Sequence, residues 1–84
     1  MPETQNTKIK MYGTNWCSDT RRAKAVFDRN QIDYEYIDID KDADGRAFVQ
    51  SANNGMRSVP TIVFSDGSIL VEPSNAELES KLGL

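Results

Sequence analysis

The chain is poor in the residues that small proteins use as staples. It has one cysteine, Cys17, and no histidine among 84 residues. One cysteine cannot form an internal disulfide, and without histidine or a second thiol there is no zinc-type ligand set. A chain this short sits near the lower end of what folds unaided, so its core must come from packing alone. Its 38% apolar content is enough for that. No apolar run approaches the roughly 20 residues that span a bilayer. Met1 to Thr7 is polar and lacks the apolar stretch of a signal peptide. The net charge of −3 offers no basic face for nucleic acid. Arg21, Arg22, Lys24, Arg29 and Arg46 are interspersed with acids and read as solvated helix faces. These absences lead us to expect one domain, located in the cytoplasm, with neither a membrane nor a nucleic-acid partner. A lone free thiol fits a reducing compartment.

What is present alternates between strand and helix patterns. After a tail over residues 1–7 that should fray, Lys8 to Tyr12 reads as a strand with Ile9 and Met11 on one face. Gly13-Thr14-Asn15 is a turn. From Cys17 to Asn30 the period becomes helical, with Ala23, Val26 and Phe27 on one buried stripe. Tyr34 to Ile39 is a second strand. Asp40 to Asp44 supplies carboxylates for a helix start, and Gly45 to Asn53 follows as a helix burying Ala47, Phe48 and Ala52, stopped by Asn54-Gly55. Thr61 to Phe64 and Ile69 to Val71 are strands joined through Asp66-Gly67, a pair suited to a tight turn with positive φ at both residues. Ser74 and Glu77 have capping-box spacing and open a last helix with Leu78 and Leu82 on one face. The order β-α-β-α-β-β-α predicts an α/β fold with a mixed four-stranded sheet: the first two strands parallel through a right-handed crossover, the last two antiparallel.

One position carries chemistry. Cys17 falls where the loop after the first strand becomes a helix. Free backbone N–H groups and the positive dipole end gather there, and both favour the nucleophilic thiolate. Trp16 can shield one side of the sulfur and pack on a ligand. Asp19 lies two residues on; it reads as a helix-start acid, or as a charge that tunes Cys17 down. Ser58-Val59-Pro60 precedes the third strand. A proline at a strand start has a structural reason, because its missing N–H falls at the strand end. If the Val59–Pro60 bond were cis, the Val59 backbone could pair with an extended ligand beside Cys17.

Tyr12, Trp16-Cys17 opening a helix, Val59-Pro60 before a strand and Asp66-Gly67-Ser68 together resemble the glutaredoxins. The likeness runs from Lys8 to Leu82, and Phe48 to Pro73 is especially similar to the mycoredoxin-type proteins of actinobacteria. The resemblance implies a thioredoxin fold with three helices flanking the sheet, a cis bond at Pro60, and a mixed disulfide with a low-molecular-weight thiol as substrate. The sequence departs from that family at two places. Cys17-Ser18-Asp19-Thr20 replaces Cys-x-x-Cys, so Thr20 stands where a resolving cysteine would be. Val71-Glu72-Pro73-Ser74 replaces the Gly-Gly and acidic pair of ordinary glutaredoxins, which argues against glutathione and leaves mycothiol and bacillithiol as candidates. Arg57 and the helix start at Ser74 and Asn75 are candidates for holding the polar end of the thiol, although a solvated loop side chain and a plain helix cap account for them equally.

The expected activity is therefore a monothiol exchange at Cys17 that reduces mixed disulfides between client proteins and a small thiol, by a monomer with no metal. Two other functions use the same features. A non-catalytic thioredoxin-fold module would need no reactive sulfur, and a dimer could bridge an iron–sulfur cluster through Cys17, although Ser18 and Asp19 stand where cluster-binding relatives have glycine.

Overall fold

The computed structural model describes residues 8–84, so the expected frayed tail lies outside the described residues. The elements follow the predicted order: β1 (Lys10–Gly13), α1 (Ser18–Arg29), β2 (Glu35–Asp38), α2 (Ala43–Ala52), β3 (Thr61–Val63), β4 (Ile69–Val71) and α3 (Asn75–Leu82). The sheet order is β2-β1-β3-β4. β1 and β2 are parallel, with Met11 opposite Tyr36; β1–β3 and β3–β4 are antiparallel, with Ile62 opposite Met11 and Leu70. This is the thioredoxin fold.

Adjacent strand residues point to opposite faces, and β1 shows which helix covers which face. Met11 enters a core with Ala23, Val26, Phe27, Ile62, Phe64 and Leu78, so α1 and α3 cover that face. Tyr12 points the other way and stacks on Phe48 of α2, with ring centroids 4.7 Å apart. α2 approaches closely because Gly45 has no side chain. A Cβ there would lie 2.7 Å from Ile37 Cγ2.

Two expectations need correction. α2 begins at Ala43 because the Asp42 carboxylate accepts from the Gly45 N–H at 2.9 Å and caps the helix. Its buried residues are accordingly Gly45 and Val49; Phe48 is half-buried, while Ala47 and Ala52 face solvent. The β3–β4 hairpin also differs. Gly67 N–H donates to Phe64 C=O and Phe64 N–H donates to Ser68 C=O, which encloses a three-residue loop. Only Gly67 takes a positive φ, +87°. A turn followed by one left-handed glycine matches the strand twist without asking Asp66 for the same strained backbone. The Asp66 carboxylate instead accepts from the Ser68 N–H and hydroxyl and pairs with Lys81 of α3 at 2.8 Å. The Ser74–Glu77 capping box forms as predicted.

Gly45→Ala is expected to lower stability by about 1 kcal/mol. Overpacking against Ile37 costs about 1–3 kcal/mol and outweighs the gain in helix propensity; urea denaturation measures the difference. The Lys81 ammonium and Ser68 hold the Asp66 carboxyl well below its ordinary 3.8. A depressed folded-state pKa contributes stability above the ordinary value that is lost as the pH falls. The wild type should therefore melt above Asp66→Asn at neutral pH, and that gap should shrink progressively below pH 3.8.

Candidate active site

β1 ends at Gly13, and its close contact with α1 sets the position of Cys17. A Cβ on Gly13 would lie 2.7 Å from Thr20 Cγ2 and 2.8 Å from its Oγ1. Thr20 is fully buried in that contact. The intervening chain turns as the Cys17 N–H donates to the Thr14 carbonyl at 3.3 Å. Cys17 becomes the N-cap of α1, with extended backbone angles (φ −80°, ψ 125°) and a side chain that does not cap the helix. Its carbonyl accepts from the Arg21 N–H at 3.1 Å, which starts the helical ladder. The sulfur is thus half-buried at the electropositive end of a twelve-residue helix.

The thiol points at the Val59 carbonyl, 3.9 Å away, the outer reach of a sulfur donor. The Val59–Pro60 bond is cis, as the resemblance implies, and Pro60 is buried at the start of β3. The loop carrying Val59 is braced from below. Thr61, fully buried, donates its hydroxyl to Ser58 C=O at 2.7 Å, and the Asn53 amide donates to Thr61 Oγ1 and Val49 C=O. Local sequence patterns do not mark Asn53 or Thr61 as site residues.

The remaining predicted residues divide between two sides. Trp16 is 69% exposed, and its Nε1–H donates to Asp40 in the β2–α2 turn at 2.8 Å. Asp19 pairs with Arg22 at 3.1 Å, and Arg22 also donates to Asn75 Oδ1 at 3.3 Å, so the Asp19 charge has a cation beside it and α1 is tied to the start of α3. The Ser74 hydroxyl oxygen accepts from the Glu77 N–H at 3.1 Å and caps α3. Arg57 is exposed on the loop before Val59 and makes no hydrogen bond or ion pair to another described residue. The structure therefore joins Cys17 with Val59, links Asp19 to Asn75 through Arg22, and anchors the indole on Asp40.

A polar group that sequence reading passes over braces the turn before the cysteine. Tyr36 donates its hydroxyl to Asn15 Oδ1 at 2.9 Å, Arg21 donates to the Asn15 carbonyl at 3.1 Å, and the Lys24 ammonium lies 3.5 Å from the Tyr36 ring centre. Burial chiefly, then the Asp38 and Asp40 charges, pushes the Tyr36 phenol up to about 12, so it stays a donor at neutral pH. A groove of about 490 Å³ runs along β2 and the start of α2, and Cys17 does not line it. The thiol lies instead half-buried beside the cis-proline loop. Among the described residues no cluster of three or more carboxylates and thiols could hold a metal ion, and no helix is long and apolar enough to cross a membrane.

Comparison with known proteins agrees with this geometry. The glutaredoxin family model matches residues 9–69. A glutaredoxin of Mycobacterium tuberculosis is 40% identical over 74 residues, 88% of each chain. Mycoredoxin 1 of Corynebacterium glutamicum is 34% identical over 76 residues, 90% of this chain and 94% of its own. Among solved structures, a mutant thioredoxin-like protein superposes with a TM-score of 0.80 at 27% identity, covering 93% of this chain and 97% of its own. A glutaredoxin from Archaeoglobus fulgidus superposes with a TM-score of 0.74 at 25% identity, covering 89% and 85%. With its cysteine at the head of α1 facing a cis-proline loop, the chain belongs to the glutaredoxin family of thiol–disulfide oxidoreductases.

Proposed function

We propose that the protein runs a monothiol cycle at Cys17, reducing mixed disulfides between client proteins and a low-molecular-weight thiol. One observation carries this reading. The only thiol is half-buried at a helix start, and the residue one helical turn on, where a resolving thiol would lie, is a fully buried threonine. In the first step the Cys17 thiolate attacks the small-thiol sulfur of the mixed disulfide. The new bond joins Cys17 to the small thiol, the old disulfide breaks, and the client leaves as a thiolate. A second small thiol then attacks that same small-thiol sulfur of the adduct. It leaves with it as a symmetrical disulfide and returns Cys17 as thiolate, so the two electrons come from the small thiols.

Within this reading the Val59 backbone aligns the ligand, while Trp16, Arg57 and the Asn75 end of α3 surround its polar part. Thr20 keeps the adduct from being resolved internally, and Arg22 offsets the Asp19 charge near the sulfur. The likeness to a mycoredoxin puts mycothiol first among the small thiols, with bacillithiol next and glutathione last. The protein acts as a single-domain monomer in the cytoplasm, where such thiols are kept reduced.

The test is intact mass after separate incubation with the disulfides of mycothiol, bacillithiol and glutathione, followed by the matching reduced thiol. One adduct on Cys17, formed and then released, is the expected result, and Cys17→Ser should form none. If no adduct forms while the denatured protein still alkylates, the chain is a non-catalytic module. Thr20→Cys is expected to convert the site to a dithiol. Its adduct should then collapse to an internal disulfide, lighter than the reduced protein by two hydrogen atoms, since residues one helical turn apart lie within disulfide reach.

A further inference from the structure

The contact between Trp16 and Asp40 spans 24 residues and joins two different loops, the one after β1 and the one after β2. β2 and β3 flank β1 on either side within the sheet. The sulfur of Cys17 is drawn toward Val59, at the β3 side, while the neighbouring indole is drawn toward Asp40, at the β2 side. The two side chains are thus parted across the end of β1. Asp40 is itself held, because its N–H donates to Asp38 Oδ1 at 3.0 Å. An exposed indole on a single-bonded stem has several rotamers open to it, and one at this position that lost its anchor could swing across the neighbouring thiol. A fixed aromatic face costs a ligand less ordering entropy than a mobile one.

We infer that Asp40 is a positioning residue: by accepting the Trp16 Nε1–H it fixes the indole as a wall on the β2 side of Cys17, leaving the sulfur open and the wall preorganised for the disulfide substrate. The inference rests on the thiol-exchange reading above and adds to it the group that shapes one side of the cleft. Asp40 touches no reacting atom. Its part is to accept one hydrogen bond, so the neutral Asn, which keeps a carbonyl acceptor, should serve nearly as well. The carboxylate's charge is the separate variable, since an anion near the sulfur opposes thiolate formation.

Trp16 is the only tryptophan, so indole fluorescence reports on it alone. The test compares wild type, Asp40→Ala and Asp40→Asn in three measurements: indole anisotropy, the rate of adduct formation with mycothiol disulfide and with glutathione disulfide, and the pH profile of iodoacetamide alkylation. In Asp40→Ala the anisotropy should fall and the rate with the reactive disulfide should drop about fivefold, the size of one exposed charge-assisted contact. Asp40→Asn should restore both. Alkylation by the small reagent, which needs no wall, should change far less than disulfide exchange. Unchanged anisotropy in Asp40→Ala overturns the inference, as does a fall in anisotropy with an unchanged exchange rate. It is equally overturned if Asp40→Asn behaves like Asp40→Ala, because charge and not the acceptor would then be responsible. A wild type that exchanges with neither disulfide overturns the thiol-exchange reading itself, an outcome separate from any difference between variants.

Discussion

The first turn of α1 packs directly on the end of β1 because Gly13 leaves no Cβ in the way of Thr20. Almost everything at the site depends on that close approach. It buries Thr20 completely, brings the helix start to the sheet end, and makes Cys17 the last extended residue before the helix. A larger residue at 13 would lift the helix start and with it the sulfur, away from the Val59 carbonyl. The core beneath, with Phe27, Met11, Val26, Ile62 and Leu78 fully buried, holds the helix axis but does not by itself set how near the helix start comes.

Above that base, three contacts from three other segments shape the surface around the thiol. Val59 comes from the loop before β3, Asp40 from the turn after β2, and Asn75 from the start of α3. Single exposed or part-buried polar contacts are each worth about 1 kcal/mol, so they orient side chains and add little to overall stability. The division of labour is physical. Apolar burial holds the fold together, and polar contacts at its rim decide which face of each side chain meets a partner.

Thr20 has a double part in this arrangement. As a buried residue it fills the space against Gly13, and as a residue without sulfur it removes the internal route for releasing a bound thiol. Under the proposed cycle, release then passes to a second small thiol. The half-buried cysteine does not line the acidic groove along β2.

Much of the fold can be read from short-range pattern, because its causes are local. The spacing of Ala23, Val26 and Phe27 marks the buried side of α1, the Ser74–Glu77 pair marks the start of α3, and the connections dictate which strands run parallel. Cys17 is legible for the same reason: it is the only thiol, and it stands at a strand-to-helix change. The hairpin turn was less legible, since Asp-Gly suits more than one loop and the Asp66 hydrogen bonds to Ser68 and Lys81 accompany the three-residue form. Composition and local pattern by themselves determined an α/β chain with its single thiol at a helix head. Only the tertiary structure decided that the indole faces Asp40, that Arg22, paired with Asp19, reaches Asn75 across 53 residues, and that the sulfur faces Val59 across 42. Such contacts depend on where the sheet carries distant segments, and side-chain direction at that range leaves no periodic trace along the chain.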